Sequence, residues 1–168
     1  MKKITGFVAV LAALLMTAFF IGCNNAPSDP LSGNSYKPTR MESEGMVVTS
    51  NGSAISITSS GSTVTITRSG STYTATCEGV DVTSTLGQTY LETMYDEMSP
   101  MFAMSISFNN GVISATIPGE ETQTGTYTVN GNAAIVTTDG ESGTITTSDN
   151  WQTFVMTEDG MTMTFTRQ

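Results

Sequence analysis

The chain predicts an all-β domain: an antiparallel up-and-down meander of about eight to ten strands that closes into a barrel. Three observations predict it. Thr alternates with apolar residues at period two in one segment after another, the pattern of strands with one wet and one buried face. Turn dipeptides separate these segments: Asn-Gly at 110–111 and 130–131, Asp-Gly at 139–140 and 159–160, Ser-Gly at 60–61 and 69–70. Such pairs supply the positive φ angles of tight hairpins. Helical crossovers are missing, which excludes a parallel sheet. One apolar face per strand requires closure or packing on a second sheet, so a β-sandwich is the alternative.

The elements follow in order. Lys2 and Lys3 precede an apolar run from Phe7 to Ile21, and Gly22 stands directly before Cys23. This is the order of an export signal, with charged, apolar and cleavage regions. A membrane-spanning helix needs about 20 apolar residues, and this run is shorter before it breaks at Asn24-Asn25. The Gly-Cys junction resembles a bacterial lipoprotein signal, with Phe20 where that motif usually has Leu. It implies that residues 1–22 are removed and that Cys23 is lipidated, tying the protein to a bilayer. Ordinary secretion is the rival reading. Asn24 is not the Asp that marks inner-membrane retention in some bacteria, so the outer membrane is expected, on either face.

Residues 23–32 then form the lipidated cysteine and a polar tether with Pro27 and Pro30. The domain is expected over 33–168. Val64 and Ile66 share one strand face, as do Tyr73, Ala75 and Cys77 on the next. Further on the apolar faces are Met104, Ile106 and Phe108; Ile113, Ala115 and Ile117; Tyr127 and Val129; Met161, Met163 and Phe165. The intervening positions are nearly all Ser or Thr, and β-branched Thr suits an outer strand face.

One segment, about 85–98, reads instead as an amphipathic helix. Leu86, Tyr90, Met94 and Met98 recur at steps of four, with Leu91 and Tyr95 beside them. Thr85 and Gln88 have the spacing of a capping box, and Pro100 is expected to stop the helix.

Composition removes several functions. The formal charge is −9, and losing Lys2 and Lys3 takes it to −11. Lys37, Arg40, Arg68 and Arg167 alone make no phosphate-binding surface, so no nucleic-acid partner is expected. The chain has no histidine, so neither Ser-His nor Cys-His chemistry nor a histidine-ligated zinc site can form. With Cys23 acylated, Cys77 is a single thiol, read as a small buried hydrophobe. Glu120-Glu121 and Asp96-Glu97 read as solvated turn and helix faces. Asp139-Gly140-Glu141 and Glu158-Asp159-Gly160 lack the spacing of a calcium loop. No enzyme, metal or cofactor is expected.

A lipid-anchored meander with one inserted helix resembles the small lipocalin-like (calycin-type) lipoproteins of Gram-negative bacteria. The stretch from Phe102 to Thr128, with its strand, Asn-Asn-Gly turn, strand and Gly-Thr-Tyr-Thr-Val, is most similar to that group. The resemblance implies a barrel closed at one end by an Arg of the last strand, here Arg167, over an aromatic of the first, here Tyr36, as a cation–π pair. The other reading of Arg167 is an exposed terminal residue. The resemblance also implies a non-catalytic pocket for a small apolar or amphipathic ligand. Tyr73, Tyr90, Met94, Met98, Met104, Phe108, Tyr127, Met161 and Met163 are the expected lining, since flexible thioethers suit adaptable apolar pockets. Plain core is their other reading.

Trp151, the lone tryptophan, has the opposite parity to Phe154 and Met156. It is either turned inward or exposed for stacking on a sugar ring. A protein- or glycan-binding envelope module, an adhesin or inhibitor with a filled core, is therefore the alternative function.

Overall fold

A computed structural model describes residues 29–138, 141–158 and 160–168, with Glu158 described in its backbone alone. Thirteen strands and two helices lie among these residues. In chain order they begin with β1 (Asn34–Ser43), β2 (Met46–Ser50), β3 (Ala54–Ser59), β4 (Ser62–Ser69), β5 (Thr72–Cys77) and β6 (Val80–Asp81). The helices α1 (Thr83–Leu86) and α2 (Gln88–Ala103) come next. The chain continues with β7 (Ser105–Asn109), β8 (Val112–Thr116), β9 (Gln123–Asn130) and β10 (Ala133–Thr138). It ends with β11 (Glu141–Thr146), β12 (Thr153–Glu158) and β13 (Met161–Arg167).

Strand β1 organises everything else. Its first half pairs with β7, Tyr36 opposite Ile106, while its second half pairs with β2, Met41 opposite Val48. Along its other edge it pairs with β13 from Tyr36–Arg167 to Ser43–Met161, across a bulge at Pro38–Arg40. The last strand thus returns to the first and closes a ring of eight antiparallel strands, β1 and β7 to β13. Closure removes the sheet edges that an open meander would expose. The fold is therefore the barrel, and the sandwich is set aside. Strands outnumber the predicted eight to ten because β2 to β6 form a second meander that leaves the ring from β1.

Helix α2 lies against that second meander, touching β1, β3, β4 and β5. It buries Leu91, Tyr95 and Phe102 and half-buries Met94, Met98 and Met101. Two expectations about it are corrected. Pro100 lies inside the helix, which runs on to Ala103. Proline forfeits one backbone bond, and burial of Phe102 two residues later offsets the loss. The Thr85–Gln88 capping box does not form, because Gly87 is the N-cap and offers no side chain. Instead the Gln88 amide stands in for a strand on the free flank of β5. It accepts from the Tyr73 N–H at 3.0 Å and donates to the Tyr73 carbonyl at 2.5 Å. Two residues along, Thr83 Oγ1 accepts from the Ala75 N–H at 2.8 Å. These contacts satisfy an edge that would otherwise invite another chain.

The domain also begins earlier than Gly33. Leu31 is completely buried. Its N–H donates to Asp29 Oδ1 at 3.0 Å, and Asn34 Nδ2 donates to the Pro30 carbonyl at 2.8 Å. Asp29 to Ser32, expected as tether, thus pack with the domain, because apolar Leu31 gains more from burial than its polar neighbours lose. Residues 23–28 of the expected tether, including Cys23, lie outside the described residues.

The expected apolar faces are the inner ones. Ile66, Tyr73, Ala75, Met104, Ile106, Phe108, Ile113, Ala115, Tyr127, Met163 and Phe165 are all buried. Outward hydroxyls pair across strands, as in Ser56–Thr65 at 2.9 Å and Thr58–Thr63 at 2.9 Å. Asn110-Gly111 makes its tight turn, with φ of 49° and 80°. The Asp-Gly turn at 139–140 and Asp159 lie outside the described residues.

Candidate functional site

The two ends of the eight-stranded ring are built from different side chains. Where β1 begins, aromatic rings fill the interior. Tyr36 meets Phe108 edge-on at 5.6 Å and Phe154 at 4.9 Å between ring centres. Phe108 meets Tyr127 at 4.9 Å, and Phe154 stacks on Phe165 at 4.8 Å. Edge-to-face pairs of this kind add to their burial energy. Phe108 and Tyr127, expected as pocket lining, belong to this plug.

Trp151 seals the same end. It is 1% exposed, so the exposed-tryptophan reading and its glycan contact are corrected: neither ring face is open to a sugar. A local turn, rather than strand parity, sets its direction. Asn150 and Trp151 have φ of 57° and 64°, a region that non-glycine residues rarely occupy. Hydrogen bonds hold them there. Thr147 Oγ1 accepts from the Trp151 N–H at 3.1 Å, and the Asp149 carboxylate accepts from the Thr153 N–H at 2.9 Å and the Thr153 hydroxyl at 2.7 Å. These donors, the Thr153 N–H foremost, pull the Asp149 carboxyl down to about 2. Tyr36 then donates its hydroxyl to the Trp151 carbonyl at 2.8 Å.

Arg167 stands directly opposite Tyr36 in the β1–β13 register and is exposed. Cross-strand partners share a sheet face, so its charge lies at the plugged end. Burial raises the Tyr36 hydroxyl above its ordinary pKa, and the Arg167 charge works against that rise. The cation–π contacts of the described residues fall elsewhere. The Arg68 guanidinium lies 5.7 Å from the Tyr73 ring centre and 6.0 Å from that of Tyr95.

The other end of the ring is lined differently. Met41 of β1 pairs with Met163 of β13, and Met163 pairs with Met156 of β12. Register therefore aligns three thioethers in one inward row, with Met161 one step nearer the rim. Met41 and Met163 are 6% and 1% exposed, and Met156 and Met161 are half-buried. Four places round the ring from β13 is β9, where Gly125 pairs with buried Ile113. Four places from β12 is β8, with inward Ala115. Gly143 of β11 pairs with buried Val136 and also takes an inward position. One wall thus presents flexible methionines, the facing wall presents Gly125 and Ala115, and Gly143 lies beside the methionine wall on the strand next to β12.

The nine residues expected as pocket lining do not meet in one place. Met161 and Met163 belong to the methionine wall, and buried Met104 links α2 to β7. Met94 and Met98 are half-buried on α2, over the second meander. Tyr73 lies there too, 5.6 Å from Tyr95, and its hydroxyl reaches Asp96 Oδ1 at 3.3 Å. Tyr90 is 52% exposed and is corrected outright. The helix buries the Leu91–Tyr95–Phe102 stripe, which turns Tyr90 to water. Met41, Gly125 and Gly143 escape a sequence reading, since Met41 sits in Tyr-Lys-Pro-Thr-Arg-Met-Glu, where charges and a bulge hide the strand period.

The methionine half carries apolar, polarisable side chains and few hydrogen-bonding groups. No group of three or more His, Cys, Asp or Glu side chains among the described residues could hold a metal ion. The fold is a closed eight-stranded antiparallel barrel with a helix-backed side meander. No protein family, curated protein or solved structure matches this chain.

Proposed function

We propose that this protein is a lipid-anchored, non-catalytic barrel of the bacterial cell envelope that binds a small apolar or amphipathic ligand. The observation that carries the reading is the asymmetry of the barrel. Aromatic rings and Trp151 fill one end, while at the other methionines face Gly125 and Ala115, with Gly143 on the strand beside them. An eight-stranded ring has room for its side chains or for one small ligand, and glycine on an inward face leaves space that a side chain would take. Anchoring rests on the N-terminal sequence, Lys2-Lys3, the apolar run and Gly22-Cys23, which supports acylation of Cys23 and attachment to the outer membrane. No helix among the described residues is long and apolar enough to cross a membrane.

Titration of the protein carrying Cys23→Ser with the apolar fluorophore N-phenyl-1-naphthylamine tests the binding reading. Saturable emission enhancement at one site, weakened by Gly125→Leu or Gly143→Leu, is expected. Emission that never saturates, or that ignores both substitutions, refutes carriage. Mass spectrometry of the native N-terminus tests the anchor: an acylated Cys23 supports it and an unmodified N-terminus overturns it.

A further inference from the structure

The ring of strands is closed unevenly. Adjacent strands of the barrel share from three to seven residue pairs in every ladder but one. Strands β11 and β12 share a single pair, Thr146 opposite Val155. That pair lies toward the plugged end, beside the turn that carries Trp151. From there the two strands run on toward the methionine half with no further pairing. Ile145 and Thr144 on one side, and Met156 and Thr157 on the other, form no ladder. Backbone groups on both margins of this seam are therefore available to water or to a ligand.

A second, independent feature lies one strand away. Among the described residues Thr138 is the one buried polar residue, at 0% exposure, and its Oγ1 has no hydrogen-bond partner. It continues the inward series Ala134, Val136, Thr138 of β10 and pairs with Glu141 at the start of β11. Several other threonine hydroxyls pair across strands, as in Thr157–Thr162 at 3.2 Å. A hydroxyl held inside without a partner loses its hydration for nothing in return. Thr138 flanks β11, whose far edge is the seam, and it is at the methionine end.

We propose that the β11–β12 seam is a lateral doorway into the methionine half of the barrel, and that Thr138 Oγ1 receives the polar end of a single-chain amphiphile with an uncharged head. This deepens the carrier reading and rests on it. The apolar chain lies along Met41, Met156 and Met163, and a hydroxyl or ester oxygen at its end completes the unmet bond of Thr138. An uncharged head is selected because Glu141 pairs directly with Thr138, and the whole chain carries −9. A carboxylate head would lose its hydration beside buried Thr138, and the exposed Glu141 opposite adds like charge at the rim.

The test displaces N-phenyl-1-naphthylamine from the Cys23→Ser protein with 1-dodecanol or with dodecanoate. Dodecanol is expected to compete more strongly. Thr138→Val should weaken dodecanol about tenfold, the worth of one hydrogen bond, and leave the fluorophore's own affinity unchanged. Thr138→Ser should restore it. Thr138→Val should also raise the urea midpoint of the ligand-free protein, since a methyl replaces an unpartnered hydroxyl. For the doorway, Thr144→Cys and Thr157→Cys are combined with Cys77→Ser and oxidised across the seam. Fluorophore entry should slow on oxidation and recover on reduction. Equal dodecanol affinity for Thr138→Val, a preference for dodecanoate, a lowered urea midpoint, or unchanged entry after cross-linking each overturns the proposal while leaving carriage intact. A wild-type protein that binds no fluorophore overturns carriage as well.

Discussion

The Tyr36 hydroxyl donates to the Trp151 carbonyl at 2.8 Å, joining the first strand to a turn 115 residues later, with both side chains buried. The bond ties the plugged end of the barrel to the β11–β12 connection, beside the one-pair closure of the ring. Tyr36→Phe leaves the Trp151 carbonyl without its partner. It should cost about 1–3 kcal/mol, the price of an orphaned buried acceptor. Trp151 is the sole tryptophan, so its emission reports the change. A lower urea midpoint with unchanged folded emission is expected, and an unchanged midpoint would show that water replaces the hydroxyl.

The turn that aims Trp151 inward should fail in acid. The Asp149 carboxyl is held at about 2 instead of 3.8 by its bonds from Thr153 and Thr147. A carboxyl lowered on folding stabilises the fold above its unfolded pKa. That contribution fades as pH falls from about 3.8 towards 2. Urea titrations should show the gap between wild type and Asp149→Asn shrinking across this window. A constant gap from pH 5 to pH 2 contradicts the linkage.

Alkali should loosen a second anchor of the plugged end. Tyr127 is pushed up to about 12, by burial first and then by its hydrogen bond to Asp29. The neutral phenol is favoured in the fold, so its contribution is whole below pH 10 and is lost as pH rises from 10 towards 12. Tyr127→Phe should flatten that part of the stability profile. Ultraviolet phenolate absorbance should show a late titration step in the wild type that Tyr127→Phe removes.

Gln88 should matter more than an exposed helix residue ordinarily does. Gln88→Leu removes both bonds to the Tyr73 backbone, an expected loss of about 1–3 kcal/mol. Amide exchange at Tyr73 should quicken well before exchange in the β9–β10 ladder. Equal acceleration in both places would mean that the side meander and the barrel unfold together.

Leu31 should mark the true start of the domain. Leu31→Ala is expected to cost about 2–5 kcal/mol, as for other fully buried leucines. An exposed tether residue would change stability by less than about 0.5 kcal/mol, which calorimetry separates readily.

Much of this architecture is legible in the chain itself. Thr-x-Thr alternation identifies Ile66, Tyr73, Ala75 and Phe165 as inward, because a strand has period two and hydroxyls tolerate water. Asn110-Gly111 marks its hairpin because few other pairs accept two positive φ angles. Absent histidine and sparse basic residues exclude several chemistries without any coordinates. The remainder depends on partners distant in sequence. Pro100 lies inside a helix because Phe102 is buried by the side meander, and Gln88 leaves its expected cap because the free flank of β5 lies within reach. Trp151 turns inward through a hydrogen bond from its N–H to Thr147 and others around Asp149, against its strand parity. Ring closure by β1 and β13, the facing of methionines by Gly125 and Ala115, and the single pair at the β11–β12 seam are matters of register across the whole chain. Local periodicity carries the face of each residue, but only the closed sheet decides which faces meet.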